Sequence, residues 1–107
     1  MSDSSDIYLR AILTTVARQT FPVSTIIDIV GSGKTSEKQL AAYNLCDGSV
    51  SQSDIAKKLG LDPGNFSKTL ARWIDAGIVI RAVDGREVRP THVYPLPAAE
   101  IKKAVQK

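Results

Sequence analysis

Gly33, Lys34 and Thr35 form the tripeptide with which a nucleotide-binding P-loop ends. A complete P-loop has the pattern GxxxxGK[ST], and its first glycine lets the backbone wrap around the phosphates. Asp28 stands at the position of that glycine, where its carboxylate would face the phosphates. We therefore predict no bound nucleotide and no cofactor, and interpret the stretch as a connector in which Thr35 or Ser36 caps the next helix.

His92 and Cys46 are the only histidine and the only cysteine of the chain, and they are far apart in sequence. A structural zinc site needs four ligands in close pairs, so this pattern predicts no metal site. The chain also lacks a CxxC motif and a recognisable nucleophile and base pair. These absences predict that the protein is not an enzyme, and they leave Cys46 as either a small core residue or a redox-sensitive thiol.

The 107 residues carry a net charge of +3, a sequence pI near 9.2 and 43% hydrophobic residues. This composition is typical of an ordinary globular domain, and the net positive charge weakly favours an acidic partner such as nucleic acid. The N-terminus is acidic and polar, unlike a secretory signal, and no apolar run approaches the ~18 residues that cross a bilayer. We therefore expect a cytoplasmic protein with no membrane contact.

The first third of the chain is predicted to be helical. Residues 6–18 have mostly helical apolar spacing. The segment 23–30 is ambiguous, because Ser24 could cap a short helix while the β-branched run would also suit a strand. Ser36 and Gln39 have the spacing of a capping box before a further helix, which Asp47-Gly48 ends.

Two short helices follow, separated by a tight turn. Ser51 is placed to cap the first, and Gly60 to end it in the left-handed conformation. Pro63 is favoured in the first turn of the second helix, which we expect to run over 63–76 and stop at Gly77.

In the last third of the chain, the pattern of apolar residues changes to the two-residue period of a β-strand. The run "IVIRAV", the turn dipeptide Asp84-Gly85 and the run "REVRPTHVYPL" predict a β-hairpin. Pro90 limits the returning strand to an edge position or marks a bulge. Residues 98–106 are predicted to form a short basic helix. The fold class predicted is thus mainly α with a small β-hairpin (α+β).

Residues 37–96 resemble the DNA-binding core of winged-helix transcriptional regulators of the MarR and ArsR kind. The matching features are Ala56, Gly60, "NFSKTL", "DAGIVIR" and "DGR". The resemblance implies a winged helix-turn-helix with flanking N- and C-terminal helices, double-stranded DNA as the partner and a homodimer. It implies one winged-helix domain over 1–107, made of an N-terminal helical layer (6–33), a core (36–96) and a C-terminal helix (97–107).

The helix 63–76 has two chemically different faces. Phe66, Leu70, Trp73 and Ile74 share one side and are assigned to the core. The opposite side carries the candidate DNA-binding residues. Asn65 and Lys68 are suited to contact base edges, and Ser67 could contact a base or a phosphate. Arg72 is better placed for a phosphate of the backbone. The small residues Gly64 and Ala71 would leave room for the helix in the major groove.

Further candidate contacts lie outside this helix. Arg86 and Arg89 on the wing could reach the minor groove, and Asp84 could brace Arg86 or simply serve the turn. Ser53, at the start of the preceding helix, completes the predicted set. Lys34, Lys57 and Lys58 are weaker candidates for phosphate contacts.

The sequence predicts sequence-specific double-stranded DNA binding in transcriptional regulation. The helix 63–76 would lie in the major groove and the wing 78–96 near the minor groove. Since one small module offers few base contacts, a homodimer would be required, with the helices at 6–18 and 98–106 as dimerisation material. The alternative is a winged helix used as a protein-interaction module within a larger assembly, because fold does not dictate function.

Overall fold

The structure is a computed structural model that describes residues 4–106. Its described part is mainly helical with one two-stranded antiparallel hairpin, which confirms the predicted α+β class. The elements are α1 (Ser4–Thr20), α2 (Val23–Val30), a 3₁₀ turn (Lys34–Ser36), α3 (Glu37–Leu45), α4 (Gln52–Leu59), α5 (Pro63–Ala76), β1 (Val79–Asp84), β2 (Glu87–His92) and α6 (Ala98–Val105). No helix in residues 4–106 combines the length and the apolar character that crossing a membrane requires.

The ambiguous segment 23–30 is a helix. Its apolar side chains recur at the helical spacing i, i+3, i+4 and i+7, and Ile26, Ile27 and Val30 are buried. The prediction that Ser24 caps this helix is wrong. Pro22 occupies the N-cap position in an extended conformation, and Ser24 lies inside the first turn.

The capping box predicted at Ser36 and Gln39 does not form. Ser36 ends the 3₁₀ turn, and neither it nor Thr35 caps α3 with its side chain. The amide N–H of Ser36 donates to the carbonyl of Gly33 at 3.1 Å. The turn therefore already satisfies the N–H group to which the Gln39 side chain would bond in a capping box. The amide of Gly33 donates to the carbonyl of Ala104 at 2.7 Å, which ties this connector to α6.

The tight turn between α4 and α5 forms as predicted. Ser51 Oγ accepts a hydrogen bond from the amide of Asp54 at 3.2 Å and caps α4. Gly60 ends the helix with φ 64°, in the left-handed region where a side chain would be strained. Only Leu61 and Asp62 then separate it from the next helix, so the orientation of α5 is set within three residues.

α5 begins with Pro63, as predicted, and ends before Gly77 in the left-handed conformation. Its N-cap is Asp62, whose Oδ2 accepts from the amide of Asn65 at 2.9 Å. This role of Asp62 was not predicted, although Asp directly before a helical proline is a recognisable N-terminal signal.

The hairpin pairs in continuous register from Val79↔His92 to Asp84↔Glu87, without a bulge. Its two-residue turn is Gly85-Arg86, one residue later than predicted. Pro90 is accommodated at the outer edge of β2, where its carbonyl accepts from the amide of Gly48 at 3.1 Å. Because N–H and C=O of one strand residue point to the same side, the missing N–H of Pro90 costs no bond with β1.

The buried hydrophobic residues form one cluster centred on Trp73, Tyr43 and Phe66. Trp73 meets Tyr43 and Phe66 edge-on, with ring centroids 6.0 and 6.3 Å apart. Leu70 is also buried and Ile74 packs against the cluster, so the core side of α5 is the one predicted.

Cys46 and His92 both belong to this core. Cys46 is fully buried, and burial raises its pKa to about 12, which removes the reactive thiolate at neutral pH. His92 is buried and stacks on Tyr43 with ring centroids 5.3 Å apart. Of the two alternatives for Cys46, the structure thus favours the small core residue.

Candidate nucleic-acid interface

The outward face of α5 carries the polar residues that the sequence singled out. Helical geometry places Asn65, Lys68 and Arg72 on the side opposite the buried Phe66 and Trp73, and all three are exposed. Gly64, Ser67 and Ala71 are exposed as well. The centre of this face therefore presents short or flexible side chains and no aromatic ring.

The two cations of this face have no opposite charge holding them. Neither Lys68 nor Arg72 makes an ion pair within residues 4–106. Asp75, which was not among the predicted residues, is exposed on the same face. It lies two helical turns beyond Lys68, about 10 Å along the axis, but less than one turn beyond Arg72, so its charge lies beside Arg72 and leaves Lys68 without a neighbouring carboxylate on this face.

A cleft of about 280 Å³ separates the start of α4 and α5 from the tip of the hairpin. It brings Ser53 and Arg86, which are 33 positions apart in sequence, to the walls of one cavity. Ser53 Oγ lies 3.2 Å from the Oγ of the capping Ser51. The residues that line the cleft are Ser51, Gln52, Ser53, Ala56, Pro63, Phe66, Arg86, Glu87 and Val88.

The two wing arginines have different environments. Arg86 is exposed in the hairpin turn and makes no ion pair within the described chain. Arg89 Nη2 lies 3.0 Å from Glu87 Oε2, and its Nε lies 3.7 Å from Asp84 Oδ2. Asp84 therefore braces Arg89 and not Arg86, and the charge of Arg89 is largely offset.

The hairpin also turns these arginines towards different sides. Side chains alternate along a strand, so Arg89 shares a face with Ala82, its cross-strand neighbour, while Val88 lies on the opposite face. Val88 lines the cleft beside α5, whereas Ala82 lines a groove beside α1. The structure thus brings Arg86 to the cleft, whereas Arg89 is not one of its lining residues and reaches it only through its partner Glu87.

Arg81 is an exposed cation on the cleft side of the hairpin that sequence reasoning missed. It shares a strand face with Val79 and Val83, and Val83 pairs with Val88 of the cleft. The signal was present in the sequence, because alternation places Arg81 two residues from each of these valines. Arg81 makes no ion pair within residues 4–106.

Lys34 lies in a separate depression of the surface. It lines a cavity of about 540 Å³ with Lys38, Leu59 and neighbouring residues, and none of them lines the cleft. Lys57 and Lys58 are exposed at the C-terminal end of α4. The structure therefore separates Lys34 from the surface that α5 and Arg86 form.

Comparison of the chain with known proteins finds no matching protein-family model and no significantly similar curated protein or solved structure. Any assignment of function depends on the geometry described above.

Proposed function

We propose that the chain is a winged helix-turn-helix protein that binds double-stranded DNA sequence-specifically, as a transcriptional regulator in the cytoplasm. The order of elements supports the winged-helix assignment. α3 is followed by a short extended segment in which Asp47 forms a β-bridge with Thr91 of β2, then by α4, α5 and the hairpin.

The observation that carries the functional proposal is the outward face of α5. It combines an amide, Asn65, with two cations, Lys68 and Arg72, that have no ion-pair partner in the described chain. Cations without an internal partner are available for phosphates and for base acceptors. A surface of this kind gains little from meeting an apolar protein partner.

The dimensions of α5 suit the major groove. A 14-residue helix is about 21 Å long, and the groove is about 12 Å wide. Gly64 and Ala71 leave the centre of the outward face unobstructed. Asn65 and Lys68 would then reach base edges, and Ser67 and Arg72 would contact the flanking backbone.

The cleft supplies the second part of the proposed contact. With α5 in the major groove, Arg86 at the hairpin tip would approach the adjacent minor groove, and Ser53 would face a phosphate between them. We assign Arg89 a different role from the one that the sequence suggested. Its pairing with Glu87 and Asp84 makes it a brace of the hairpin.

The alternative of a protein-interaction module would require an apolar patch on this surface. Among the described residues, the large apolar side chains that are most exposed lie on α1 and on β1, and none lies on α4 or α5. Of these exposed side chains, Val83 alone lies on the face of the hairpin that borders the cleft. This distribution favours DNA as the partner of α5.

The test is a binding assay with Lys68→Ala and Asn65→Ala on a duplex selected from a random library. We expect each substitution to weaken binding by about 1 to 3 kcal/mol, because each removes a direct base contact. Lys102→Ala is the matched control, since Lys102 is an exposed cation on the distant α6 and should leave the affinity unchanged. If Lys68→Ala and Asn65→Ala bind like the control, α5 does not read the bases.

A further inference from the structure

The tripeptide Gly33-Lys34-Thr35 plays no part in the proposed DNA contact, yet it borders a cavity of about 540 Å³. The other walls of this cavity come from α3 and from Leu59 at the end of α4. A cavity of this volume is in the range that holds small organic ligands. We call it the α3–α4 cavity, and its lining residues are Lys34, Thr35, Glu37, Lys38, Ala41 and Leu59.

Three of the lining residues form one row along a continuous helical segment. The 3₁₀ turn runs directly into α3, so Lys34, Lys38 and Ala41 follow one another at i, i+4 and i+7. Residues at this spacing share one side of a helix, and the cavity lies on that side. The ammonium groups of the two lysines therefore belong to the same wall, about one helical turn apart.

Neither lysine is neutralised by the described chain. Lys34 and Lys38 are both exposed, and neither makes an ion pair within residues 4–106. Like charges at the i, i+4 spacing destabilise a helix. An anion held by both ammonium groups would remove this repulsion, so the pair favours an anionic ligand.

Glu37 is the one carboxylate among the lining residues, and it does not offset the two lysines. It lies in the first turn of α3, about 100° around the helix axis from Lys38, and it pairs with neither lysine. A carboxylate in the first turn stabilises its own helix. Glu37 therefore borders the cavity at one side, and the lining keeps a net positive charge.

The side chain of Lys38 reaches from α3 to the end of α4. A Cβ atom added at Gly60 would lie 3.8 Å from Lys38 Nζ. The ammonium group therefore lies beside the C-terminal end of α4, where the helix macrodipole favours a positive charge. One of the two charges of the cavity is thus located at the junction of two helices.

The backbone that carries Lys34 is held on both sides. The amide of Gly33 is bonded to the carbonyl of Ala104 on α6. On the other side, a Cβ atom at Gly31 would lie 2.5 Å from Ser36 Oγ, so the connector packs closely against the turn and needs glycine there, at φ 128°. This wall of the cavity is therefore formed before any ligand binds, which lowers the cost of ordering it on binding.

The rest of the lining combines an apolar surface with one hydroxyl group. Leu59 and Ala41 are half-buried, and Leu59 packs against the core cluster. They offer contact to an apolar ring or chain but no side-chain hydrogen bond. Thr35 is exposed beside them, and its hydroxyl can donate to an anion. The lining therefore suits a compact anion that is joined to an apolar body.

We propose that the α3–α4 cavity binds a small organic phosphate. The phosphate group lies between the ammonium groups of Lys34 and Lys38, and the apolar body covers Leu59 and Ala41. A phosphate monoester carries nearly two negative charges at pH 7, which matches two cations one turn apart, whereas a carboxylate carries only one. The proposal does not rest on DNA binding, because none of the lining residues borders the cleft.

The first experiment is isothermal titration calorimetry of the full chain with naphthyl phosphate, at low ionic strength and without DNA. We expect one saturable site. Naphthol has the same rings without the phosphate, and inorganic phosphate has the charge without the rings. Each should bind about tenfold more weakly or worse, because each lacks one of the two parts that the cavity contacts.

The test variant for this titration is Lys34→Gln/Lys38→Gln. It should bind naphthyl phosphate about tenfold more weakly, because both charges that hold the phosphate are removed. Lys57→Gln/Lys58→Gln is the matched control, since it removes two exposed lysines that do not line the cavity. The control should bind like the wild type. Circular dichroism of the three proteins shows whether they are folded; all four lysines are exposed, so the fold should stay intact.

A second experiment locates the ligand on the wild type by NMR. In the isotope-labelled full chain, naphthyl phosphate should shift the amide resonances of Lys34, Lys38 and Leu59 most. The resonances of Ser53 and Arg86 in the cleft should not move. Shifts centred on the cleft would assign the anion to Arg86 and overturn the proposal.

Two results of the titration would also overturn the proposal. One is a wild type without saturable binding, and the other is a Lys34→Gln/Lys38→Gln variant that binds like the control. Because the titration contains no DNA, neither result bears on the DNA-binding proposal. Displacement of naphthyl phosphate by a DNA duplex would assign the two lysines to the phosphates of a DNA backbone, and it would overturn the small-molecule site as well.

Discussion

α5 and α1 each leave one face exposed, and the two faces have opposite chemistry. The outward face of α5 is polar, and its cations Lys68 and Arg72 make no ion pair within residues 4–106. α1 instead exposes a row of apolar side chains, the α1 stripe, formed by Tyr8, Leu9, Ile12 and Val16. Exposure alone therefore does not identify an interface. The polar face suits a charged, hydrated ligand such as a duplex, and the apolar row suits a partner that removes it from water.

Each of the two helices is fixed to the core by its inward side. Residues that determine stability and residues that determine binding therefore lie on opposite sides of the same helix. α5 is fixed by Phe66, Leu70 and Trp73, and α1 by Ala17 and its contacts with Val93 and Tyr94. Substitutions on the inward side should therefore unfold the chain, and those on the outward side should alter binding alone.

The largest effect is expected for Trp73→Ala on the inward side of α5. Removing this fully buried ring should lower the free energy of unfolding by about 3 to 5 kcal/mol, as measured by urea denaturation. Arg72→Ala, the exposed neighbouring position, should change it by less than about 0.5 kcal/mol. Equal losses for the two variants would show that the outward face of α5 also belongs to the core.

A second prediction concerns His92, whose ring lies in the core between α3 and the hairpin. Burial lowers the pKa of His92, and the positive charge of Arg10 on α1 lowers it further, while a hydrogen bond at the His92 backbone and the nearby Asp47 act in the opposite sense. Its Nδ1 has no hydrogen-bond partner in the described chain. The neutral imidazole is therefore the form that the folded state holds.

The sign of the pH dependence follows from this pKa. The unfolded chain binds the proton near pH 6.5 and the folded chain only at lower pH, so acidification favours the unfolded state. Stability should be complete above pH 6.5 and should fall by up to about 1.4 kcal/mol per pH unit between pH 6.5 and the folded pKa. In His92→Gln the free energy of unfolding should vary less between pH 7 and 5. An unchanged slope in this variant would assign the pH dependence to another group.

A third prediction separates the two wing arginines. Arg86→Ala should weaken binding to the selected duplex by about 1 kcal/mol, since the cleft loses a cation that makes no ion pair within residues 4–106. Arg89→Ala should alter binding little, because its charge is offset by Glu87 and Asp84. Titrations at one fixed salt concentration measure both. Equal losses would place Arg89 on the DNA-facing surface, contrary to its position on the hairpin.

The smallest effect is expected for Arg72→Ala in the same assay. The slope of log affinity against log salt should become less steep by about 1, because one phosphate contact and its released counterion are lost. The preferred sequence should not change. A changed base preference with an unchanged slope would assign Arg72 to base reading.

The helix pair and the hairpin could be predicted because their signals are local. Ser51, Gly60, Pro63 and Gly77 act through caps, left-handed ends and a fixed φ, which depend on a few neighbouring residues. The capping box at Ser36 was wrong for the same kind of reason. A competing local structure, the 3₁₀ turn, already provides a hydrogen-bond acceptor for the amide N–H of Ser36.

The parts that could not be predicted depend on contacts distant in sequence or on register. The partners of Arg89 follow from the alternation and pairing of the hairpin, and the one-residue shift of the turn decides which carboxylate it meets. The exposure of the α1 stripe was also hidden, because amphipathic spacing does not tell which side of a helix the rest of the chain covers. The sequence shows that Asp75 follows Lys68 by seven residues. Only the structure shows that both residues lie on the exposed face of α5.

The central claim, that α5 reads duplex DNA through its outward face, is tested most directly by random-library selection with the wild type and with Lys68→Ala. The wild type should enrich one sequence motif, and Lys68→Ala should enrich the same motif with the preference relaxed at a single base position. Failure of the wild type to enrich any motif, or an identical motif with unchanged preference in Lys68→Ala, would contradict the claim.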